Sequence, residues 1–269
     1  VHDRYASVKI CFSLSALYNT CAAFARKRRG NSREVLACAC GEKGNGTENG
    51  ESLRRDKKAA RQRPWEKRMK ILLTAFEPFG GETVNPAQEA VRALGGRIAG
   101  AEIVRIDVPV VCGKSIDTVV RAMRAERPGA VICVGQAGGR FAITPERVAI
   151  NLDDARIPDN EGNRPVDTPV VPDGAPAYFS TLPVKSIVAR IRAAGVPAEL
   201  SNSAGTYVCN HLMYGVLHHI AREFPGMRGG FIHVPFLHEQ ALTRPNVPSL
   251  SMRDLTVGLE AAVAAAAEE

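Results

Sequence analysis

The stretch Ser201–Ile220 puts a thiol where a thiol can become a nucleophile. Ser203-Ala204-Gly205-Thr206 reads as a small-residue turn, and the apolar spacing beyond it predicts a helix with Cys209 in its first turn. Unpaired backbone N–H groups and the positive end of the helix dipole meet there, and both favour an anion. Both therefore lower a cysteine pKa and raise the thiolate fraction, the form that attacks. Cys209, Met213, Val216 and Ile220 share one helical face, with Leu212 and Leu217 beside it, so the sulfur points to the core side. An isolated helical cysteine is more often packed and inert. The chemistry depends on its partners.

A cysteine nucleophile needs a base, and the base needs an orienting group. Five histidines lie beyond residue 68. His211 follows Cys209 by two residues and points to nearly the opposite side of the helix. His218 is turned about half a revolution away, and His219 lies about 80° and nearly three turns away, so none of the three reaches the sulfur. His233 ends the apolar strand Gly230–Val234, a strand terminus in the same layer as the start of the Cys209 helix; His238, in the next loop, is the reserve. For the acid, Arg147–Leu152 alternates, with Val148, Ile150 and Leu152 in one row, and Glu146 has the same parity. A carboxylate at the head of a core-facing row is unfavourable unless a cation or a donor meets it. The competing reading is a solvated Glu146 just ahead of the strand.

Other candidates carry less. Cys133 lies inside a strand and reads as structural, and Cys112 sits in a loop with no His or acid signature beside it. Gly135-Gln136-Ala137-Gly138-Gly139 lacks the Gly-Lys-Ser/Thr of a phosphate loop and the spacing of a dinucleotide fingerprint. From Asp153 to about Ala175 runs a long polar, Pro-rich loop of the kind that often forms a lid. Its acids Asp153, Asp154 and Asp159 have no His or Cys nearby in sequence and no EF-hand spacing, so turn chemistry is expected and no metal.

The elements that would position these groups alternate. Ile71–Phe76 is a continuous apolar strand ending in the loop Glu77-Pro78-Phe79-Gly80-Gly81, and Asn85-Pro86 opens a helix to about Leu94. Then come a strand at Ile103–Val110, a helix at Ser115–Ala125 and a buried strand at Ala130–Val134. After the loop, a helix at Val184–Ala194, a strand at Pro197–Ser201, the Cys209 helix, the strand Gly230–Val234 and a helix from about Met252 to Ala266 follow. This order predicts a single α/β domain, a twisted and mostly parallel sheet with helices on both faces, whose site gathers at the strands' carboxyl ends.

The 269 residues carry a formal charge of +7, but unevenly. Residues 1–68 hold 16 basic and 7 acidic side chains, a net of +9, and the rest holds 19 and 21, a net of −2. The high pI thus belongs to the leader and gives no ground for a nucleic-acid partner. In the leader, apolar Ile10–Ala25 precedes Arg26-Lys27-Arg28-Arg29, the wrong order for a secretory signal, and 30–68 is polar and reads as disordered. Met69-Lys70 immediately before the first strand suggests that residues 1–68 are an extension and 69–269 the catalytic domain. Three scattered cysteines in that domain fit a reducing, cytoplasmic setting, and no run is apolar enough to span a bilayer.

Four segments resemble pyroglutamyl peptidase I (pyrrolidone-carboxylate peptidase), the cysteine peptidase family that removes an N-terminal pyroglutamate. They are Leu72–Gly81, Gly135–Arg140, Glu146–Asn151 and Ser203–Asn210, and the Phe231–Pro235 strand end agrees. The likeness covers 69–269. It implies an α/β/α sandwich of the phosphorylase/hydrolase kind and a triad of Cys209, His233 and Glu146, with separations of 63 and 24 residues. It also implies an oxyanion site at the Cys209 N–H and near Arg156. A lactam slot would be formed by Phe76, Phe79, Ile157, Tyr207 and Val208, with Gln136 meeting the lactam's polar atoms and Asn85 fixing the first loop. Tyr207 stands where many members are expected to carry Phe. No cofactor is implied, the partners are pyroglutamyl peptides, and a homotetramer is expected. A phosphorylase or amidase on a similar sheet, or a nucleic-acid binder acting through the leader, are the competing classes.

Overall fold

The computed structural model describes residues 69–268; the expectations for residues 1–68 lie outside them. In chain order the elements are β1 (Lys70–Phe76), α1 (Pro86–Ala93), β2 (Arg97–Ile98), β3 (Ala101–Val108), α2 (Lys114–Glu126) and β4 (Ala130–Gln136). Short β5 (Thr144–Pro145), β6 (Val148–Ile150) and β7 (Ala177–Phe179) lead to α3 (Val184–Ala193), α4 (Val208–Glu223) and β8 (Arg228–Val234). The chain closes with β9 (Phe236–Leu237), α5 (His238–Ala241), β10 (Ser249–Leu250) and α6 (Met252–Glu268).

Six strands form the main sheet in the order β2-β3-β1-β4-β8-β5, with β3, β1, β4 and β8 mutually parallel and the two short edge strands antiparallel. The continuous apolar runs are explained by burial on both faces. Ile71, Leu73 and Ala75 of β1, Ile132 and Val134 of β4, and Ile232 and Val234 of β8 pack with α1, α3 and α6. Their neighbours Leu72, Phe76, Val131, Cys133 and Phe231 pack with α2 and α4 on the other face. The expected α/β architecture with helices on both sides is what forms. None of the described helices is long and apolar enough to cross a membrane.

Two local expectations change. The strand expected at 197–201 reduces to isolated bridges, Ile143 with Ala198 and Glu146 with Ser201. Around β6 the alternation is inverted: Ala149 is fully buried while Val148 and Ile150 are half-buried. The reason is that β6 leaves the main sheet, pairs with β7, and lies against α4. There Asn210 accepts from the Ile150 N–H at 3.0 Å and donates to the Ile150 and Leu152 carbonyls at 2.9 Å. Only a small side chain faces that close contact.

The long loop after Leu152 is fastened rather than hung free as a lid. The Asp154 N–H donates to the Thr206 carbonyl at 2.9 Å and the Thr206 hydroxyl donates to the Asp154 carbonyl at 2.8 Å. The Tyr207 hydroxyl donates to the Pro158 carbonyl at 3.0 Å, and Asn160 is tied to Val110 and Pro78. Asp159 accepts from the backbone N–H groups of Cys112, Glu161 and Asn163 at 2.9–3.0 Å.

Candidate active site

The start of α4 is built to leave its donors open. Tyr207 is the N-cap, in extended conformation, and supplies no side-chain cap; the first turn holds no acid. The first bond of the helix runs from the His211 N–H to the Tyr207 carbonyl, so the N–H groups ahead of it are not consumed by the helix. Cys209 is the second residue of α4 and is half-buried. Its Sγ lies over β4: a Cβ built on Gly135 would stand 3.2 Å from the sulfur and 2.7 Å from Cζ of Phe231. Glycine is required there for the close approach.

Directly across the sheet from Gly135, in parallel register, is His233 of β8. It is 3% exposed, and the Phe231 ring lies 4.7 Å from its own. His233 Nδ1 lies 2.7 Å from Oε1 of Glu146, which is fully buried between β5 and β6. Since a carboxylate accepts only, Nδ1 carries the proton and Nε2 is the free basic nitrogen. The same Oε1 accepts from Arg140 Nη1 at 2.6 Å, and Arg140 also reaches the Thr144 hydroxyl and, at 3.1 Å, the Ser203 carbonyl. Burial alone would raise the Glu146 pKa; hydrogen bonding and charge from His233 and the charge of Arg140 outweigh it and hold the carboxyl below its ordinary value. Burial lowers the His233 pKa, Glu146 works against that, and Arg140 adds to the lowering.

The thiol departs from the expectation of a lowered pKa. Burial and the Glu146 carboxylate push Cys209 up to about 12, opposed by Arg140. Desolvation is the larger cause, and the nearby negative charge adds to it. Among the described residues no hydrogen bond joins Cys209 to His233, whereas His233 and Glu146 are in direct contact.

The residues expected around the substrate divide into two sets. Phe79, Tyr207 and Ile157 are half-buried, and the Phe79 and Tyr207 ring centroids lie 6.4 Å apart with the planes tilted by 44°. Arg156 is exposed in the fastened loop. Phe76 is buried in the core beneath α4, and Val208, the first residue of α4, is buried with it. Asn85 caps α1, accepting from the Ala87 N–H and donating to the Glu77 carbonyl, both at 3.0 Å, and so fixes the loop after β1. Gln136 ends β4, where its side-chain oxygen accepts from Gln240 at 3.2 Å.

Two features escaped the sequence reading. Arg140 closes the Gly135–Arg140 motif, and that motif was its only signal. The other concerns Cys112 and Asp153, which have no His beside them in sequence: Cys112, Asp153 and His211 bring ligand atoms within 4.8 Å of one another, while Asp159 makes the expected turn bonds. His211 Nδ1 meets Asp153 Oδ2 at 2.7 Å, and its Nε2 accepts from the Gly113 N–H at 2.7 Å. Separations of 41 and 58 residues hid the group from any local pattern.

Comparison with known proteins agrees with the resemblance. The family described as pyroglutamyl peptidase matches residues 69–269. A pyrrolidone-carboxylate peptidase of Alkaliphilus oremlandii is 56% identical over 200 residues, 74% of this chain and 94% of that protein. One from Streptococcus pyogenes is 55% identical over 195 residues, 72% and 91% of the two chains. Among solved structures, pyroglutamyl peptidase I from Bacillus amyloliquefaciens superposes with a TM-score of 0.73 at 51% identity, over 75% of this chain and 96% of that one. A mutant pyrrolidone carboxyl peptidase from Pyrococcus furiosus gives 0.71 at 43%, over 74% and 99%. With the fold, the motifs and near-complete coverage of its relatives in agreement, the chain belongs to the pyroglutamyl peptidase I family of cysteine peptidases.

Proposed function

We propose that this protein hydrolyses the bond that follows an N-terminal pyroglutamate, with Cys209 as nucleophile, His233 as acid and base, and Glu146 as the group that orients His233. The observation that carries the reading is the 2.7 Å contact between His233 Nδ1 and a fully buried Glu146, one strand away from the Gly135 over which the thiol lies. That contact leaves Nε2 free to take a proton.

Proton transfer from Cys209 to His233 Nε2 makes the sulfur nucleophilic, and it attacks the scissile carbonyl. The oxyanion that forms is met by backbone N–H groups at the start of α4, that of Cys209 among them, and by one near Arg156. Glu146 stabilises the imidazolium. His233 then hands its proton to the leaving amine, and a thioester remains on Cys209. Water, deprotonated by His233, cleaves the thioester and frees pyroglutamate.

Pyroglutamate is a small, flat, uncharged lactam with one N–H and one C=O. It calls for an apolar slot and a few hydrogen bonds, and for no acid to meet an amine. Phe79, Tyr207 and Ile157 supply the slot over the buried Phe76 and Val208. Gln136 at the end of β4 meets the lactam's polar atoms, and Asn85 holds the loop that carries Phe79. Residues 69–269 form the peptidase unit on this reading, and a chain lacking 1–68 keeps its activity. A cytoplasmic homotetramer is the assembly proposed.

The test is release of a reporter amine from a pyroglutamyl amide by the wild type and by Cys209→Ser. Loss of turnover in the variant is expected; equal rates would end the proposal.

A further inference from the structure

Two residues beyond Cys209 on α4, about 200° around the helix, His211 enters a second group of side chains that the peptidase reaction does not use. Asp153 and Asp159 are 5% and 6% exposed there, and Cys112 is half-buried beside them. Both nitrogens of His211 are engaged, Nδ1–H with Asp153 Oδ2 and Nε2 with the Gly113 N–H, so the ring is a neutral, oriented cross-link. It has no lone pair left for the thiol proton, and the group is not a second nucleophilic triad.

Two things are left unbalanced. Asp153 Oδ1 is buried and meets no hydrogen-bond donor among the described residues. Neither Asp153 nor Asp159 forms an ion pair with a lysine or arginine among them, although the oxygens of Asp159 are well supplied with N–H donors. Buried carboxylates are ordinarily paired with a cation or bound to a metal, and an orphaned buried oxygen marks where an ion or a water belongs. The Cys112 sulfur and a carboxylate oxygen of Asp153 lie within 4.8 Å of each other, close enough to share one divalent cation.

We propose that Cys112 Sγ and Asp153 Oδ1 bind a thiophilic divalent cation of the Zn²⁺ class, with His211 orienting Asp153 through Oδ2 and solvent completing the coordination shell. The ligand chemistry selects the class: a thiolate with a carboxylate suits Zn²⁺ or Co²⁺, whereas Mg²⁺ and Ca²⁺ want oxygen alone. On binding, the Cys112 proton leaves to solvent and the sulfur–metal bond takes its place. His211 plays the outer part that a hydrogen-bonded partner plays around a metal ligand. The bound ion would join the turn before α2, the start of the fastened loop, and α4.

The test is a Co²⁺ titration of the full-length chain, read by the sulfur-to-cobalt charge-transfer absorption, in wild type, Cys209→Ser, Cys112→Ala and Asp153→Asn. Contributions from Cys11, Cys21, Cys38 and Cys40 are common to all four and cancel in the differences. The proposal expects one equivalent of absorption that survives Cys209→Ser, disappears in Cys112→Ala, weakens about tenfold or more in Asp153→Asn, and is displaced by Zn²⁺. Identical titrations of wild type and Cys112→Ala would overturn it, leaving water as the partner of Asp153 Oδ1. So would absorption that vanishes with Cys209→Ser. Should Asp153→Asn fail to fold, the Cys112 comparison decides, and the readout is independent of peptidase activity.

Discussion

Glu146→Gln changes one buried atom and removes one buried charge. Glu146 Oε1 accepts from His233 Nδ1 at 2.7 Å and from Arg140 Nη1 at 2.6 Å. An amide oxygen has two lone pairs, so Gln can accept both bonds and keep the tautomer, but it carries no charge to stabilise the imidazolium. Loss of the charge assistance corresponds to about 1.5–3 kcal/mol, roughly a 10- to 150-fold loss in kcat/KM. The expected fall is therefore roughly 10- to 150-fold in kcat with little change in KM. Removing Glu146 also removes the influence that raises the His233 pKa, while burial and Arg140 still lower it. The imidazolium formed during acylation becomes harder to reach. The assay is steady-state hydrolysis of a pyroglutamyl reporter amide, with a urea midpoint on the same sample to establish folding. A folded variant that loses less than about tenfold in kcat would refute the role of the Glu146 charge.

Three further outcomes follow from the same geometry. Gly135→Ala drives a methyl group to 2.7 Å from Phe231 and 3.2 Å from the thiol; it should destabilise the fold by about 1–3 kcal/mol and lower kcat, and an unchanged denaturation midpoint would contradict the close approach. Tyr207→Phe removes the 3.0 Å bond to the Pro158 carbonyl, worth about 0.5–1.5 kcal/mol; KM should rise roughly two- to tenfold with kcat nearly unchanged, and a fall confined to kcat would count against a role in holding the loop. Stability should form a plateau in pH. His233 and Glu146 have pKa values held below 6.5 and 4.5, so their contributions are present above those values and are lost as pH falls through the lowered ones. Cys133 and Cys209 are raised from 9.0 to about 12, so theirs is present below 9.0 and is lost as pH rises toward 12. Urea midpoints measured from pH 4 to pH 11 check both edges, and a midpoint still rising above pH 9.0 would contradict the buried thiols.

The amino-acid sequence by itself determined the order of the elements, the two-sided burial of β1, β4 and β8, and the position of Cys209 in the first turn of α4. These follow from local period and from turn chemistry, which act over a few residues. It also singled out His233 and Glu146, through a strand end and a family motif. Only the tertiary structure decided what these groups feel. The thiol lies high in pKa because strands distant in sequence bury it and bring a carboxylate near, and no periodicity carries that information. Likewise β6 turned its expected face away because its partners proved to be β7 and α4. Cys112, Asp153 and His211 met because the turn before α2, the fastened loop and α4 pack together. Electrostatics and unsatisfied hydrogen bonds depend on neighbours in space, and those exist only after the chain has closed on itself.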